Sequence, residues 1–175
     1  MIDSHLKVPK QQMPVSLWVH PEGKVLGQMF LSIPDPESRG RERPEDVLNS
    51  RLDFLVFKLQ QSNQVRFYNK SSIVRVEYNS GQMARDYTAQ PRACRITMMD
   101  GALLDGEICK ALSAETSRLY DYLNDAAERF LPVTLTDANV ALVNKAYIVS
   151  VNPLEGILEP LQQPRSAVGV RDSFS

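Results

Sequence analysis

The stretch FYNKSSIVRV at residues 67–76 returns almost unchanged as LVNKAYIVSV at residues 142–151. Asn69 and Asn144 are 75 positions apart (144 − 69), and the same spacing separates Asn49 from Asn124. Self-similarity at a fixed spacing indicates repeated structural units. The sequence therefore predicts two copies of one small unit in tandem.

Both copies contain short strand-like segments in the same order. Each begins with two apolar runs joined by a glycine turn, at residues 15–32 and at residues 93–112. Short runs separated by turn residues are typical of small antiparallel sheets and barrels, and about five such runs occur in each copy. Gly27 and Gly106 lie inside the second runs, where glycine indicates a sharp bend or a close backbone approach.

A short helix is predicted between the second and third strands of each copy. Pro44 suits the first turn of a helix, and Glu45 suits its positive N-terminal end. In the second copy, apolar residues follow helical spacing from Leu119 to Phe130. The residues expected at helix ends, as dipole partners and caps, are Asp46, Asn49, Asp121 and Asn124.

The predicted organisation has five parts. They are a flexible tail (1–13), a first unit (14–78), a polar linker (79–92), a second unit (93–153) and a second flexible tail (154–175). Below ~70–80 residues a single core rarely contributes more than a few kcal/mol. The two units are therefore expected to pack against each other or against neighbouring chains.

The composition restricts the classes of function. The chain has 20 Lys and Arg against 21 Asp and Glu, so it has no general positive field to hold a polyanion, although a local basic patch stays open. No apolar run approaches the ~20 residues needed to span a bilayer, and none resembles a signal peptide. We expect a cytoplasmic protein without membrane insertion.

No catalytic or metal-binding motif is recognisable. His5 and His20 do not form a convincing general base or metal site, and the chain lacks the Gly-x-Ser-x-Gly, P-loop and His-Glu-x-x-His patterns. Cys94 and Cys109 lie in strand-like runs and are expected to be buried free thiols, or neighbours if their strands pair. We expect no enzyme activity and no cofactor.

Several of these residues resemble the two motifs of the Sm-like small barrels. The first motif is matched by Asp100-Gly101, Gly106, Asp121 and Asn124, and in the first copy by Gly23, Gly27, Asp46 and Asn49. The second motif is matched by residues 69–73 and 144–148. The resemblance covers residues 15–76 and 96–151. It implies a mainly β chain of two tandem Sm-like five-stranded antiparallel barrels, each with a short inserted helix.

The resemblance also implies binding residues, because the corresponding positions of Sm-like RNA binders line a nucleotide pocket. The candidate ligand- or partner-binding residues that it gives are Asn49, Asn69, Lys70, Asn124, Asn144 and Lys145. From the residues alone, each Asn-Lys pair also suits a tight turn in which the lysine points to water. Both interpretations stay open.

Arg39 and Arg43 form a second candidate site. Their Arg-x-x-x-Arg spacing resembles the arginine motif of PilZ domains, which bind cyclic di-GMP, and arginine suits phosphate binding. Acidic residues such as Glu42 surround them, so a solvated, mobile loop is the alternative interpretation.

The aromatic residues give a further criterion. Those expected in the core are Trp18, Phe30, Phe54, Phe57, Phe67 and Tyr68. Exposure of several on one face would favour single-stranded nucleic acid.

Together these features favour a non-catalytic scaffold or adaptor whose strand edges recruit protein partners or further copies into a homo-oligomer. The alternative is a module that binds single-stranded RNA or a nucleotide, including a cyclic dinucleotide.

Overall fold

The computed structural model describes residues 10–33, 41–81, 91–109, 119–136 and 138–154. The first half contains β1 (Lys10–Val19), β2 (Gly23–Ser32), α1 (Pro44–Asn49), β3 (Phe54–Leu59), β4 (Val65–Asn69) and β5 (Ile73–Asn79). The second half contains β6 (Arg92–Met98), β7 (Leu103–Ile108), α2 (Leu119–Leu123), β8 (Phe130–Thr136), β9 (Asn139–Asn144) and β10 (Ile148–Pro153). Strand β1 begins inside the segment 1–13 that we expected to be a tail.

The ten strands in these ranges belong to one antiparallel sheet, which confirms the mainly β prediction. Their order is β10-β6-β7-β8-β9-β5-β1-β2-β3-β4, so each half arranges its five strands in the same way. The halves join where β5 pairs with β9. Neither half closes through pairing of its own two outer strands, and the sheet ends at β4 and β10.

The hairpins of both halves follow from the sequence pattern. Along β1, Val15, Leu17 and Val19 are buried and alternate with more exposed neighbours, as expected for a strand with one face on the core. Gly23 begins β2 directly after the first turn, and Gly101 lies in the second turn. Their φ angles of 90° and 82° are unfavourable for residues with a Cβ atom. The predicted strand, glycine turn and strand are confirmed.

The core has two parts, and each contains residues of both halves. The first cluster gathers apolar residues of β1 to β5 and also includes Phe130 and Leu142 of the second half. The second cluster gathers apolar residues of β6 to β9 and also includes Val74 of β5. As expected for units with small cores, the two halves pack against each other.

The two helices lie where the sequence predicts them, with one difference. The Asp46 carboxylate accepts a hydrogen bond from the Arg43 backbone nitrogen at 2.8 Å, which confirms Asp46 as part of an N-terminal cap. The predicted helical face from Leu119 to Phe130 is wrong, because α2 ends at Leu123 and Phe130 starts β8. Phe130 lies opposite Asn144 in the sheet, so strand pairing overrides its helical spacing.

Cys94 is buried opposite Gly106, and Cys109 is half-buried just after β7. Burial, followed by the charge of Asp105, raises the pKa of the Cys94 thiol to about 11. The thiol of Cys94 therefore stays protonated at neutral pH and behaves as a small apolar side chain.

Candidate functional site: the unpaired edges of the sheet

The two lysines of the repeated Asn-Lys pairs hold the helices in place. The Lys70 ammonium donates to the Val47 and Ser50 carbonyl oxygens at 2.6 and 3.3 Å. The Lys145 ammonium donates to the carbonyl oxygens of Tyr122 and Asp125 at 3.1 and 2.9 Å. Each lysine therefore neutralises the negative C-terminal end of the helix that precedes it.

Lys70 is buried, and the expectation that it points to water is wrong. Removal from water lowers the pKa of its ammonium, with a smaller contribution from the charge of Arg129. The backbone oxygens at the end of α1, together with the Ser50 hydroxyl at 2.9 Å, supply its hydrogen-bond acceptors. The Lys70 ammonium therefore makes contacts within the fold and is not exposed to a ligand.

The asparagines of the same pairs, Asn69 and Asn144, both close a turn, but the contacts of their amide nitrogens differ. The Asn69 and Asn144 side-chain oxygens accept hydrogen bonds from the backbone nitrogens of Ser71 and Ala146, at 2.9 and 3.1 Å, which confirms the tight turns. The Asn144 amide nitrogen also donates to the Ile73 carbonyl at 2.8 Å, across the boundary between the halves. Asn69 is exposed, and its amide nitrogen contacts no acceptor in the part of the chain that the structure describes.

Asn49 and Asn124 differ in the same way. The Asn49 amide donates to the Phe130 carbonyl at 3.1 Å and accepts from the Phe130 backbone nitrogen at 2.8 Å. Asn49 thus joins α1 to the other half of the chain and does not act only as a helix-end residue. Asn124 is exposed, and its amide nitrogen donates to the Tyr120 carbonyl of its own helix at 2.8 Å.

The second arginine candidate is only partly described. Arg43 is exposed and lies 3.6 Å from the Glu45 carboxylate. Arg39 lies outside the described residues.

The β5·β9 contact, which we call the internal junction, combines strand pairing with ion pairs. Its register places Val76 opposite Leu142 and extends to Asn79 opposite Asn139. Beside it, the buried Arg75 guanidinium lies 2.9 Å from the carboxylates of both Glu77 and Asp100. The Trp18 ring lies 4.0 Å from the same guanidinium, at a distance suited to a cation–π contact.

An apolar face beside the outer strand β4 is left uncovered by the residues that the structure describes. Phe54, Val56, Val65 and Phe67 are all exposed, and the β3·β4 register places Val56 directly opposite Phe67. We call these four residues the open face. On the same hairpin Phe57 and Tyr68 are buried as expected, but the expectation that Phe54 and Phe67 belong to the core is wrong.

Two residues of the open face, Phe54 and Phe67, have counterparts in the second half that are fully buried. Phe54 pairs with Asn69 as Phe130 pairs with Asn144, so Phe54 and Phe130 hold equivalent positions. Phe54 is 55% exposed, whereas Phe130 is 0% exposed. Likewise Phe67 is 68% exposed, while Leu142, which lies 75 positions later (142 − 67), is 0% exposed. Residues of the first half cover Phe130 and Leu142 of the second half. No described residue covers the open face, which is the equivalent surface of the first half.

Replacement of Asn144 and of Asn69 by alanine is expected to affect stability very differently. Asn144→Ala leaves the buried Ile73 carbonyl without its donor, and such a loss costs about 1–3 kcal/mol. Asn69→Ala removes only an exposed turn hydrogen bond and should cost about 1 kcal/mol or less. Urea denaturation of the two variants measures the difference, and equal losses would contradict the assigned contacts.

Tyr78 is expected to make the fold sensitive to alkaline pH. Burial, followed by the nearby Glu45 carboxylate, raises the pKa of the Tyr78 phenol, which donates to that carboxylate at 3.1 Å. The unfolded chain loses this proton first, near pH 10, so stability falls as pH rises further, by about 1.4 kcal/mol per pH unit. Denaturation between pH 8 and pH 11 should show a shallower decline for Tyr78→Phe than for the wild type. The opposite, lowered pKa of Lys70 is common to both proteins and cancels in the comparison.

Neither the side chains of the described residues nor comparisons with known proteins identify a ligand or a protein family for these surfaces. Among residues 10–33, 41–81, 91–109, 119–136 and 138–154, no group of three or more His, Cys, Asp or Glu is placed to hold a metal ion. Neither helix in those ranges combines the length and the apolar character needed to cross a bilayer. No protein-family model, curated protein or solved structure matches the chain.

Proposed function

We propose that the protein is a non-catalytic cytoplasmic scaffold or adaptor that assembles with protein partners through the outer strands β4 and β10. The observation that carries the proposal is the open face beside β4. A sheet edge presents unpaired backbone donors and acceptors, and proteins usually protect such edges with charge, proline or a covering segment. Here the edge lies next to exposed Phe67 and Val65. This combination favours addition of a strand from a partner.

We further propose that each half is an Sm-like unit. The support is the common strand order of the halves and the recurrence of two local contacts. One is the lysine that caps the preceding helix, and the other is the asparagine that closes the following turn. In this proposal the internal junction is the contact between two neighbouring units of an assembly, fused into one chain.

The scaffold function can be tested by copurification from the native host with a tagged full-length chain. We expect bound protein, either another protein or further copies of the chain, with the wild type. Phe67→Asp, which places a charge on the open face, should reduce this recovery at least tenfold. Leu103→Asp is the matched control, since Leu103 is equally apolar and exposed but lies on β7, inside the sheet.

The two outcomes separate clearly. Recovery with the wild type and Leu103→Asp, but not with Phe67→Asp, would support a function at the β4 edge. Equal recovery with all three proteins, or no bound protein with any of them, would contradict it.

Single-stranded RNA is the second candidate, favoured by one observation. Phe54 and Phe67 are both exposed on one face, and exposed aromatic rings can stack on bases. Arg66, the basic residue next to Phe67 in β4, already lies 2.8 Å from the Glu22 carboxylate, which weakens its attraction for phosphate. RNA binding should weaken steeply with salt and with Phe67→Ala, as fluorescence anisotropy would measure. Absence of binding at low salt would remove this candidate.

The cyclic-dinucleotide form of this alternative depends on Arg39 and Arg43. Calorimetry comparing the wild type with Arg43→Ala tests it, and equal heats of binding would exclude a role for the pair.

A further inference from the structure

We propose that the partner at the open edges is a second copy of this chain, an inference that rests on the proposed scaffold function. Strand β10 of one chain adds antiparallel to β4 of the next chain. The register is that of the internal junction, so that Val151 lies opposite Phe67. Each added chain leaves one β4 edge and one β10 edge free for the next.

The order of the strands supports this pairing. In the first half β5 is the strand next to β1, and in the second half β10 occupies the same place next to β6. Likewise β4 follows β3 at the outer end of its half, as β9 follows β8. Since β5 pairs with β9 inside the chain, β10 and β4 of two chains have the backbone arrangement required for the same contact. In the internal junction Val76 lies opposite Leu142. Their counterparts in the repeat are Val151 (76 + 75) and Phe67 (142 − 75), so these two residues would lie opposite each other between chains.

The distribution of exposed apolar residues agrees with this contact. Val149 in β10 is 61% exposed, whereas its counterpart Val74, 75 positions earlier (149 − 74), is 5% exposed and belongs to the core. Phe54 and Phe67 stand in the same relation to the buried Phe130 and Leu142. Residues that the internal junction buries are thus exposed at both outer edges, where a second copy would bury them.

Two asparagines make the contact specific. Inside the chain, the Asn144 amide donates to the Ile73 carbonyl, and the Asn49 amide makes hydrogen bonds with both the carbonyl and the nitrogen of the Phe130 backbone. Between chains the same geometry directs the Asn69 amide to the Ile148 carbonyl. It also directs Asn124 to the backbone of Phe54, in exchange for its present contact with Tyr120.

The contact between chains lacks some features of the internal junction, so it should be weaker and reversible. Ser150 replaces Arg75, which removes the ion pairs with Glu77 and Asp100. The backbone nitrogen of Leu154 donates to Ala93 in β6, so the preceding nitrogen, of Pro153, points to the open edge of β10. Because a proline nitrogen carries no hydrogen, it cannot donate a hydrogen bond to a second chain. A contact between two different edges does not end at a dimer and produces either a closed ring or a filament.

The first experiment is sedimentation velocity of the purified full-length chain over a hundredfold range of concentration. We expect the mean mass to rise with concentration to multiples of the 19.7 kDa chain. Phe67→Asp should be a monomer at all concentrations. Asn69→Ala and Asn124→Ala should each shift the midpoint of association to at least threefold higher concentration. Leu103→Asp should behave as the wild type. Circular dichroism confirms that the variants, all at exposed positions, keep the fold.

The second experiment tests the register with cysteines. Two residues directly opposite each other in an antiparallel pair have Cα atoms about 4.5–5.5 Å apart, within the range of a disulfide. The double variant Phe67→Cys with Val151→Cys should therefore form covalent multimers under mild oxidation. The control, Leu103→Cys with Val151→Cys, should remain a monomer on a non-reducing gel.

The failure of this inference is distinguishable from the failure of the scaffold function. A chain that stays monomeric at all concentrations but recovers a different protein in a Phe67-dependent manner would overturn self-assembly and leave the scaffold function standing. A monomer that recovers nothing would contradict both. Multimers that Phe67→Asp does not dissociate, or equal crosslinking by both cysteine pairs, would overturn the proposed contact.

Discussion

Phe130→Ala is expected to lower the free energy of unfolding by about 3–5 kcal/mol, the range found when large aromatic residues are removed from a core. Phe130 is fully buried in the first core cluster although it belongs to the second half of the chain. Removal of the ring leaves a cavity between the two halves, where the Asn49 side chain of the first half is hydrogen-bonded to the Phe130 backbone. A loss of this size is a large fraction of the stability of a typical domain.

The matched control is Phe54→Ala, because Phe54 occupies the equivalent position of the first half. Phe54 is exposed, and substitution of an exposed side chain usually changes stability by no more than about 0.5 kcal/mol. Urea denaturation at a concentration where the chain is monomeric would measure both variants. Similar losses for the two phenylalanines would show that the first half does not cover the second as described.

This pair also shows what the sequence could predict and what it could not. Local patterns predicted the strands, the glycine turns and the position of both helices, because alternation and turn residues act over a few positions. Phe54 and Phe130 lie in the similar segments DFLVF and RFLPV, so no local signal separates them. Their burial depends on the order of strands in the whole sheet, in which β9 lies inside and β4 lies at the edge.

The lysines of the repeat illustrate a second limit. One of the two interpretations of the sequence put Lys70 in a tight turn with its side chain in water; the turn is confirmed, but the side chain is buried. The acceptors of its ammonium lie 20 and 23 residues earlier, at the end of α1. The recurrence of Asn-Lys after a short helix in both halves was the available signal, but only the three-dimensional approach of the turn to the helix explains it.

The Sm-like resemblance directed attention to residues that proved to be structural as well as to residues that are exposed. Asn49, Lys70 and Asn144 make contacts that hold the chain together. Asn69 and Asn124, at matching positions, are exposed. In each pair of matching asparagines, one contacts the other half of the chain and its counterpart is exposed, as the proposed contact between two chains requires.

Gly27→Ala is expected to destabilise the protein by about 3 kcal/mol or more, at or above the upper part of the range for overpacked cores. A methyl group at this position would overlap the Lys58 carbonyl oxygen and would lie 2.5 Å from the Phe57 ring. Both neighbours are fixed, because β2 pairs with β3 at Gly27 opposite Leu59 and because Phe57 is fully buried. The glycine predicted to mark a close backbone approach does so, and even the smallest side chain should force β2 and β3 apart.

Gly106→Ala provides an ordered comparison for this prediction. Its added methyl would lie 2.5 Å from the Thr134 carbonyl oxygen and 2.7 Å from a Val133 methyl. Among the described residues, however, β7 and β8 are paired at a single position, Glu107 opposite Thr134. A strand held at one position can shift more easily, so the loss should be smaller, about 1–3 kcal/mol. Gln28→Ala, on the half-exposed neighbour of Gly27, should cost less than either glycine variant. If urea denaturation gave Gly27→Ala the same stability as Gln28→Ala, the close contact between β2 and β3 that shapes the first half would be wrong.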